Sequence, residues 1–395
     1  MSELRALLDA VRALRAGEDE FLSATVVRVR GSGYRRAGAR MLASREQWLA
    51  GSISGGCLER DIVTRGFWRV RSERALLVTY DDAEDALDER RGSGCQGVID
   101  VLLERHGPGF DAGARTWFDV AERCLRDETR AASVTVFRST RSDVAVGERL
   151  ILEEGGRLTA GNAFLRAELQ AEAERALAAL SPAHTSHRVA AEGEVEVLVE
   201  CITPPPHLFV FGSGHDVGPL ITIAKSLGWT LSVWDALPRT ATRERLSAAD
   251  HYLTGDLEAV VQRLARCVKP VAVVMGHHFE QDTGALAKLL SSEARYIGVL
   301  GPRRRTDEML AVIRELGGAV DGPARARVYA PVGLQLGAQT PAEIALAIVA
   351  EAQAALAEAR VVALRDASGA IHARAVAPAP APVADRQAGA ELGAE

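Results

Sequence analysis

The sequence is poor in several residue types, and each scarcity excludes a class of protein. Only five cysteines occur among 395 residues, and no two of them are closer than 29 positions. This spacing excludes a disulfide framework and a CxxC zinc or redox motif. No apolar run reaches the ~20 residues that a membrane span needs. The N-terminus is an amphipathic helical pattern without a secretory apolar block, so we expect a cytoplasmic protein.

Basic residues are not in excess, because 47 Lys and Arg stand against 53 Asp and Glu and the net charge is -6. We therefore expect no nucleic-acid partner and no membrane partner. Lysine is nearly absent, since only Lys225, Lys269 and Lys288 occur. A GC-rich genome explains the arginine excess more simply than selection for bidentate anion binding. Hydrophobic residues still make up 47% of the chain, which is enough for full-size cores.

Residues 1–200 are rich in strand patterns and predict an α+β domain. The expected helices and strands lie, in order, at 2–16, 23–29, 40–51 (a hairpin), 57–70 and 75–80. A similar strand and hairpin begin near residue 131, and an offset of 109 residues aligns Gly38 with Gly147 and Arg40 with Arg149. We interpret this echo as two related strand-hairpin halves that form a paired sheet. Chance similarity between two hairpins is the alternative.

A proline-rich linker at 201–206 precedes a different pattern at 207–360. Short apolar strands there alternate with helices, which is typical of a parallel sheet covered on both faces. The expected fold class is therefore α/β, with a strand-rich α+β domain followed by a Rossmann-like, doubly wound parallel sheet. Residues 373–395 are rich in Ala and Pro and predict a disordered tail.

The segment LFVFGSGHDVGPL places Gly212, Gly214 and His215 between a buried strand and a helix. Asp235 ends the next strand, 21 residues after Gly214. Dinucleotide-binding folds use such glycines for a close phosphate approach and such an acid for ribose hydroxyls. However, Val217 stands where the third glycine of GxGxxG belongs. The fold is thus better supported than bound NAD or NADP, which stays open.

Further polar residues follow other predicted strands of the parallel sheet, whose carboxyl ends bind ligands. His277 and His278 are adjacent and point apart in most backbones, so they make a poor metal pair. One of them is either a ligand contact or an ordinary loop histidine. Arg303 and Arg304, with Arg305, oppose the dipole of the helix that they begin unless an anion compensates. This favours a bound phosphate or carboxylate over a solvated basic patch.

Two glycine-rich turns in the first domain contain cysteine. Gly55 and Gly56 precede Cys57 at the start of a predicted helix, where free backbone amides favour the reactive thiolate. Cys95 lies in a second such turn, GSGCQG. Two turns of this kind predict thiol chemistry or contact with a soft metal, and successive glycines can form an anion-binding nest. Tight turns with an incidental cysteine are the alternative.

Arg36 and Arg40 follow the first strand in GSGYRRAGAR. Their guanidinium groups can bind a phosphate through paired hydrogen bonds. A basic hairpin loop without a ligand explains them equally well.

Taken together, these segments resemble the XdhC/CoxI family of accessory proteins for molybdenum hydroxylases. The matching segments span most of residues 20–355 in the expected order: ATVVRVRGSGYRRAGARML, AGSISGGCLE, GSGCQG, VFGSGHDVGPL, LGWTLSVWD, VVMGHHFEQD, YIGVLGPRRRT and APVGLQLGAQTPAEIALAIVAE. The second thiol turn departs from the family's Gly-Cys-Gly-Gly, because Gln96 follows Cys95. A side chain at position 96 does not favour an anion nest at this turn.

The resemblance implies an XdhC/CoxI-type domain, a Rossmann-like domain, and a chaperone that delivers sulfurated molybdenum cofactor to an apo molybdenum hydroxylase. It implies no catalytic residues; a cysteine desulfurase is a further candidate partner, and we expect a homodimer. Cys57 and Cys95 are the candidate molybdenum contacts. The other candidate cofactor-binding residues are Gly55, Gly56, Arg36, Arg40, Gly212, Gly214, His215, Asp235, His277, Arg303 and Arg304. An NAD(P)-dependent oxidoreductase is the alternative from another functional class.

Overall fold

The structure is a computed structural model that describes residues 3–31, 33–71, 73–81, 97–110, 116–180, 183–190 and 192–366. Cys95 and the tail predicted at 373–395 lie outside this part of the chain. The helices and strands below belong to one compact unit, Met1–Val361. None of the helices in the described ranges combines the length and apolarity that a bilayer crossing needs.

An antiparallel sheet with strand order β3-β2-β1-β5-β4 forms the first layer. Its central strand β1 pairs antiparallel with a neighbour on each side and is buried over most of its length, because its side chains pack into apolar cores. The elements are α1 (Glu3–Ala16), β1 (Phe21–Gly31), β2 (Arg40–Ala43), β3 (Trp48–Gly51), α2 (Cys57–Val70), β4 (Ala75–Asp81) and β5 (Gly97–His106).

A second antiparallel sheet has the equivalent strand order, β8-β7-β6-β10-β9. Its helices occupy equivalent places in the chain, one before the central strand and one after the hairpin. The elements are α3 (Trp117–Asp127), β6 (Ala131–Ser139), β7 (Arg149–Glu153), β8 (Leu158–Ala160), α4 (Ala163–Ala179), β9 (His184–Ala190) and β10 (Gly193–Ile202).

The central strands of both sheets have an irregularity at equivalent positions. The register of β1 skips Val27, and the register of β6 skips Phe137. Such a bulge turns one side chain out of the alternating pattern. Val27 and Phe137 are fully buried and pack with Leu102 and Leu198 in a small core to which both sheets contribute. The bulges thus supply an apolar contact between the two antiparallel sheets.

Residues from His207 onward form a parallel sheet with strand order β13-β12-β11-β14-β15-β16. Its two faces have separate apolar cores, each covered by helices, so the α/β fold class predicted from the sequence is confirmed. The elements are β11 (His207–Phe211), α5 (Val217–Ser226), β12 (Thr230–Asp235), α6 (Thr240–Arg245), β13 (His251–Thr254), α7 (Leu257–Ala265), β14 (Pro270–Val274), α8 (Phe279–Leu290), β15 (Tyr296–Val299), α9 (Arg303–Glu315), α10 (Gly322–Ala326), β16 (Val328–Tyr329) and α11 (Pro341–Leu356).

Candidate functional site

The glycine loop between β11 and α5 lies where the strand order of the parallel sheet reverses, the usual ligand position in such folds. Gly212 has φ of +138°, and a Cβ there would lie 2.7 Å from the carbonyl oxygen of Met275. A Cβ at Gly214 would lie 2.4 Å from Oδ1 of Asp216 and 3.0 Å from Nε2 of His277. The two glycines therefore allow a close approach between this loop and the end of β14.

The same loop presents unpaired polar groups. In the described part of the chain, the amides from Ser213 to Asp216 have no backbone acceptor. Asp216 is the N-cap residue of α5 but makes no capping hydrogen bond, and its Oδ1 is buried without a partner. Buried polar atoms normally find partners, and a molecule bound at this loop would meet a free acceptor in this oxygen and free donors in these amides.

Asp235 ends β12 and is buried beside this loop. Its Oδ1 accepts a hydrogen bond from the Leu237 amide at 3.1 Å, and its Oδ2 accepts one from the Tyr252 hydroxyl. Burial and this carboxylate raise the pKa of Tyr252 to about 12, so the tyrosine stays a donor. Asp235 is thus held in a fixed orientation by contacts that the sequence analysis did not include.

A buried carboxylate lies under the two exposed histidines that follow β14. Asp282, in the first turn of α8, accepts a hydrogen bond from the Arg305 guanidinium at 2.6 Å. Burial raises the pKa of Asp282, and Arg305, His277 and His278 only partly oppose that rise. A Cβ at Gly276 would lie 2.1 Å from its Oδ1, so this side chain also requires glycine at Gly276.

These segments together line a cavity of about 340 Å³ at the carboxyl edge of the sheet, within the size range of small-molecule sites. It brings Gly212, Gly214, His215, Asp235 and His277 together, as the sequence analysis grouped them. None of its described lining residues precedes Phe211, so the Cys57 loop is not part of it. Residues absent from the sequence-based set also line it: Asp282, Arg239, Arg245 and Gln281.

The arginines at the start of α9 are placed differently from the expectation. Arg304 is 89% exposed and pairs with Glu308 at 3.1 Å, and neither Arg303 nor Arg304 lines the cavity. Of the three, Arg305 reaches the site, through Asp282. Inside the cavity, Arg245 donates hydrogen bonds to the carbonyl oxygens of Ser213 and Gly214. We therefore leave Arg303 and Arg304 out of the proposed site.

Cys57 is the first residue of α2, and its side chain is exposed. The loop before it is held by Glu59, which is buried and accepts hydrogen bonds from the amides of Ile53, Ser54 and Gly56. Burial alone would raise the pKa of Glu59, but hydrogen bonds from the Ser54 hydroxyl and from the amides of Ser54 and Ile53 hold that pKa below its usual range. The nest expected to bind an external anion is thus filled by an internal carboxylate, and the loop instead fixes the position of the thiol.

Gly56 and Gly55 provide a matched test of how rigidly this loop is built. Gly56 has φ of +120°, whereas Gly55 lies outside that region, and a Cβ at either position meets nothing within 4 Å. We expect Gly56→Ala to lower the free energy of unfolding by about 1–3 kcal/mol through backbone strain alone. Gly55→Ala should change it by less than about 0.5 kcal/mol. Urea unfolding measures both changes. Equal effects would contradict the requirement for glycine at position 56.

The two arginines of the first hairpin have different surroundings. Arg36 is exposed. Arg40 is only 6% exposed, donates a hydrogen bond to Glu200 at 2.5 Å and stacks on the Trp117 ring. Its guanidinium is therefore enclosed by protein groups, and we leave Arg40 out of the proposed site.

Cys124 and Cys201 have little reactivity. Burial raises the pKa of Cys124 to about 12 and that of Cys201 to about 11, so both stay protonated. Cys267 is half-buried and lies beyond the end of α7. Cys57 is the exposed thiol among the described residues.

Two of the missed residues had a usable signal in the sequence. Glu59 stands three residues after Gly56, the spacing of a capping box, and its carboxylate accepts a hydrogen bond from the Gly56 amide at 3.0 Å, the half of that motif that needs no N-cap side chain. Asp282 lies four residues after His278, which places both on one face of a helix. No such local signal indicated Arg239 or Arg245. Nothing local distinguished Arg305 from its neighbours Arg303 and Arg304 either.

Comparison with known proteins agrees with this architecture. Residues 208–352 match the XdhC Rossmann domain, and residues 13–81 match the XdhC and CoxI family. A Bacillus subtilis protein, named as a probable subunit of xanthine dehydrogenase, is 31% identical over 352 residues, covering 89% of this chain and 97% of that protein. The uncharacterized protein YqeB of Escherichia coli is 31% identical over 160 residues, 40% of this chain and 29% of YqeB.

A similar solved structure comes from Bacillus halodurans. This crystal structure, described as that of a xanthine dehydrogenase, superposes with a TM-score of 0.69 at 27% identity. The superposition covers 91% of this chain and 97% of that one. The similarity therefore extends through both the antiparallel and the parallel sheets.

Proposed function

This chain is a member of the XdhC and CoxI family, and from that premise we propose that it is an accessory chaperone for a molybdenum hydroxylase. Its cargo is molybdenum cofactor, in the sulfurated form. It delivers this cargo to an apo-enzyme of the xanthine dehydrogenase or carbon monoxide dehydrogenase type and has no turnover of its own. A cysteine desulfurase and a second copy of this chain stay predicted partners.

The observation that supports this proposal most directly is the set of unpaired groups in the cavity at the carboxyl edge. Molybdenum cofactor is a pterin with N–H donors and an anionic phosphate. The free amides of the glycine loop and the exposed Arg239 suit the phosphate. The buried, unpartnered Oδ1 of Asp216 suits an N–H or O–H donor. The donor and acceptor groups of this cavity therefore fit such a cargo.

Cys57 suits the metal end of the cargo. Molybdenum in this cofactor has sulfur ligands, and a thiolate is a soft ligand for such a metal. The loop held by Glu59 presents the thiol to solvent at the first turn of α2. An exposed contact of this kind allows both capture and release, as delivery requires. We propose the cavity for the pterin and its phosphate and Cys57 for the metal as two separate assignments. Each rests on the contacts described for it.

His277 offers the sharpest test of the cavity, because it is exposed at the cavity wall and packs against Gly214. We expect His277→Ala, expressed in a cell that makes molybdenum cofactor, to retain at least tenfold less pterin and molybdenum than the wild type. His187→Ala removes an exposed histidine from β9, outside the cavity, and should retain the wild-type amount. Metal analysis and pterin fluorescence of the purified chains measure both.

Equal cofactor content in the wild type and His277→Ala would overturn the cavity assignment. The alternative, an NAD(P)-dependent oxidoreductase, draws on Asp235 at the end of β12, the usual ribose-binding position. Calorimetric titration of the same wild-type protein with NAD and NADP discriminates between the two. Tight binding together with substrate-dependent reduction of the nucleotide would favour the oxidoreductase.

A further inference from the structure

A second, larger cavity lies at the opposite edge of the parallel sheet. It has a volume of about 680 Å³ and lies between the end of α3 and the amino ends of the parallel strands. The strands are about five residues long, so roughly 17 Å separates this edge from the glycine loop. The cargo cavity and this one therefore share no lining residue.

Three side chains with metal-binding atoms converge in this second cavity. Cys267, Glu128 and His207 come from three segments distant in sequence, and their ligand atoms all lie within 4.8 Å of one another. Sγ of Cys267 lies 3.3 Å from Nδ1 of His207 and 4.0 Å from Oε2 of Glu128. Nδ1 lies 3.8 Å from Oε1 of Glu128. Nothing in the proposed delivery of cofactor uses these groups.

These separations suit a tetrahedral metal ion. With Zn–S of about 2.3 Å and Zn–N or Zn–O of about 2.0 Å, two ligand atoms of a tetrahedral site lie ~3.3–3.6 Å apart. The Sγ–Nδ1 separation of 3.3 Å falls in this range. The two Glu128 separations, 4.0 and 3.8 Å, belong to different carboxylate oxygens and are longer. Binding therefore requires the Glu128 side chain, which is 36% exposed, to rotate so that one oxygen approaches both partners.

The imidazole ring of His207 is oriented as in a histidine that binds a metal ion. Its Nε2 lies 2.8 Å from the Ser232 hydroxyl, and its ring stacks on Phe209. A hydrogen bond at one ring nitrogen that fixes the tautomer and leaves the other nitrogen for the metal is typical of histidine ligands. When Nε2–H donates to Ser232, the Nδ1 lone pair points toward Cys267 and Glu128.

We propose that Glu128, His207 and Cys267 bind one transition-metal ion of the Zn²⁺ type, with a fourth position open to the cavity. One thiolate, one imidazole and one carboxylate form a ligand set that favours Zn²⁺ over hard cations such as Mg²⁺ and Ca²⁺. On binding, the Cys267 thiol releases its proton to solvent. Because Glu128 follows α3 and the other two ligands belong to the parallel-sheet region, the ion links these two parts of the unit.

Cobalt is the probe, because Co²⁺ bound by a thiolate has a ligand-to-metal charge-transfer band in the near ultraviolet. We expect the full-length, metal-stripped protein to bind one equivalent of Co²⁺ with this band and to lose the band on addition of Zn²⁺. Cys267→Ser should abolish the band. Cys201→Ser, which removes another half-buried thiol, is the matched control and should retain the band.

A second variant tests the metal site even if Cys267→Ser does not fold. Glu128→Gln alters a half-exposed ligand, and we expect it to weaken Co²⁺ affinity at least tenfold while the charge-transfer band persists. No stoichiometric Co²⁺ binding by the wild type, or an unchanged band in folded Cys267→Ser, would overturn the site. Unchanged affinity in Glu128→Gln would overturn the three-ligand arrangement.

Discussion

Replacement of Cys57 by serine is expected to reduce at least tenfold the molybdenum that co-purifies with the chain. Serine keeps the size and the backbone geometry but exchanges a soft thiolate ligand for a hard hydroxyl, which binds such a metal poorly. Because the Cys57 side chain is exposed and the loop is held by Glu59, the fold should be unaffected. Metal analysis per mole of protein measures the loss, and circular dichroism checks the fold.

Cys201→Ser is the matched control for this experiment. It is a half-buried thiol in β10 with a raised pKa and no role in the proposed delivery, so its molybdenum content should equal that of the wild type. The pterin content adds a second readout, since the cavity is intact in both variants. A Cys57→Ser protein that retains and transfers sulfurated cofactor as well as the wild type would remove Cys57 from the proposal.

Replacement of Arg149 by methionine is expected to lower the free energy of unfolding by about 3–5 kcal/mol. Arg149 donates a hydrogen bond to Glu104 at 2.6 Å, and both side chains are nearly fully buried. Methionine removes the guanidinium and leaves the Glu104 carboxylate buried without its partner. Urea unfolding at neutral pH measures the change. This pair joins β7 of the second sheet to β5 of the first, as Arg40 and Glu200 join β2 to β10.

Arg130→Met is the control for the chemistry of the substitution. Arg130 pairs with Glu154 at 3.0 Å, but both side chains are about a third exposed or more. A surface pair of this kind contributes about 0–1 kcal/mol, so the free energy of unfolding should change little. Equal losses in Arg149→Met and Arg130→Met would contradict the buried ion pair.

The same pair predicts a pH dependence of stability. Burial alone would raise the pKa of Glu104, but Arg149, with His106 and Arg40, holds that pKa below its usual range. A lowered folded-state pKa stabilises the fold above the unfolded value of about 4.3 and loses this contribution as pH falls below it. In Arg149→Met burial dominates and raises the folded-state pKa of Glu104, so the sign reverses and stability should fall as pH rises above about 4.3. Unfolding midpoints measured from acidic to neutral pH test this, and identical profiles would contradict it.

Local patterns in the sequence were enough to predict the fold class, because each pattern depends only on a few neighbouring residues. The period of the apolar residues distinguishes the buried parallel strands, such as His207–Phe211, from the helices between them. The helix Cys57–Val70 and the capping box of Thr340 with Glu343 also have local causes, and the structure contains both. The grouping of Gly212, Asp235 and His277 followed from one general rule about the carboxyl edge of parallel sheets.

The sequence by itself thus determined the α/β class, the glycine loop and the position of Cys57 at a helix start. Only the tertiary structure decided that Arg40 is enclosed beside Glu200, and that Glu128, His207 and Cys267 meet. Partners such as Glu128 and Cys267 are 139 residues apart, and no local period encodes a contact of that length. Such contacts depend on how whole sheets and helices pack, so they become visible only when the chain is folded.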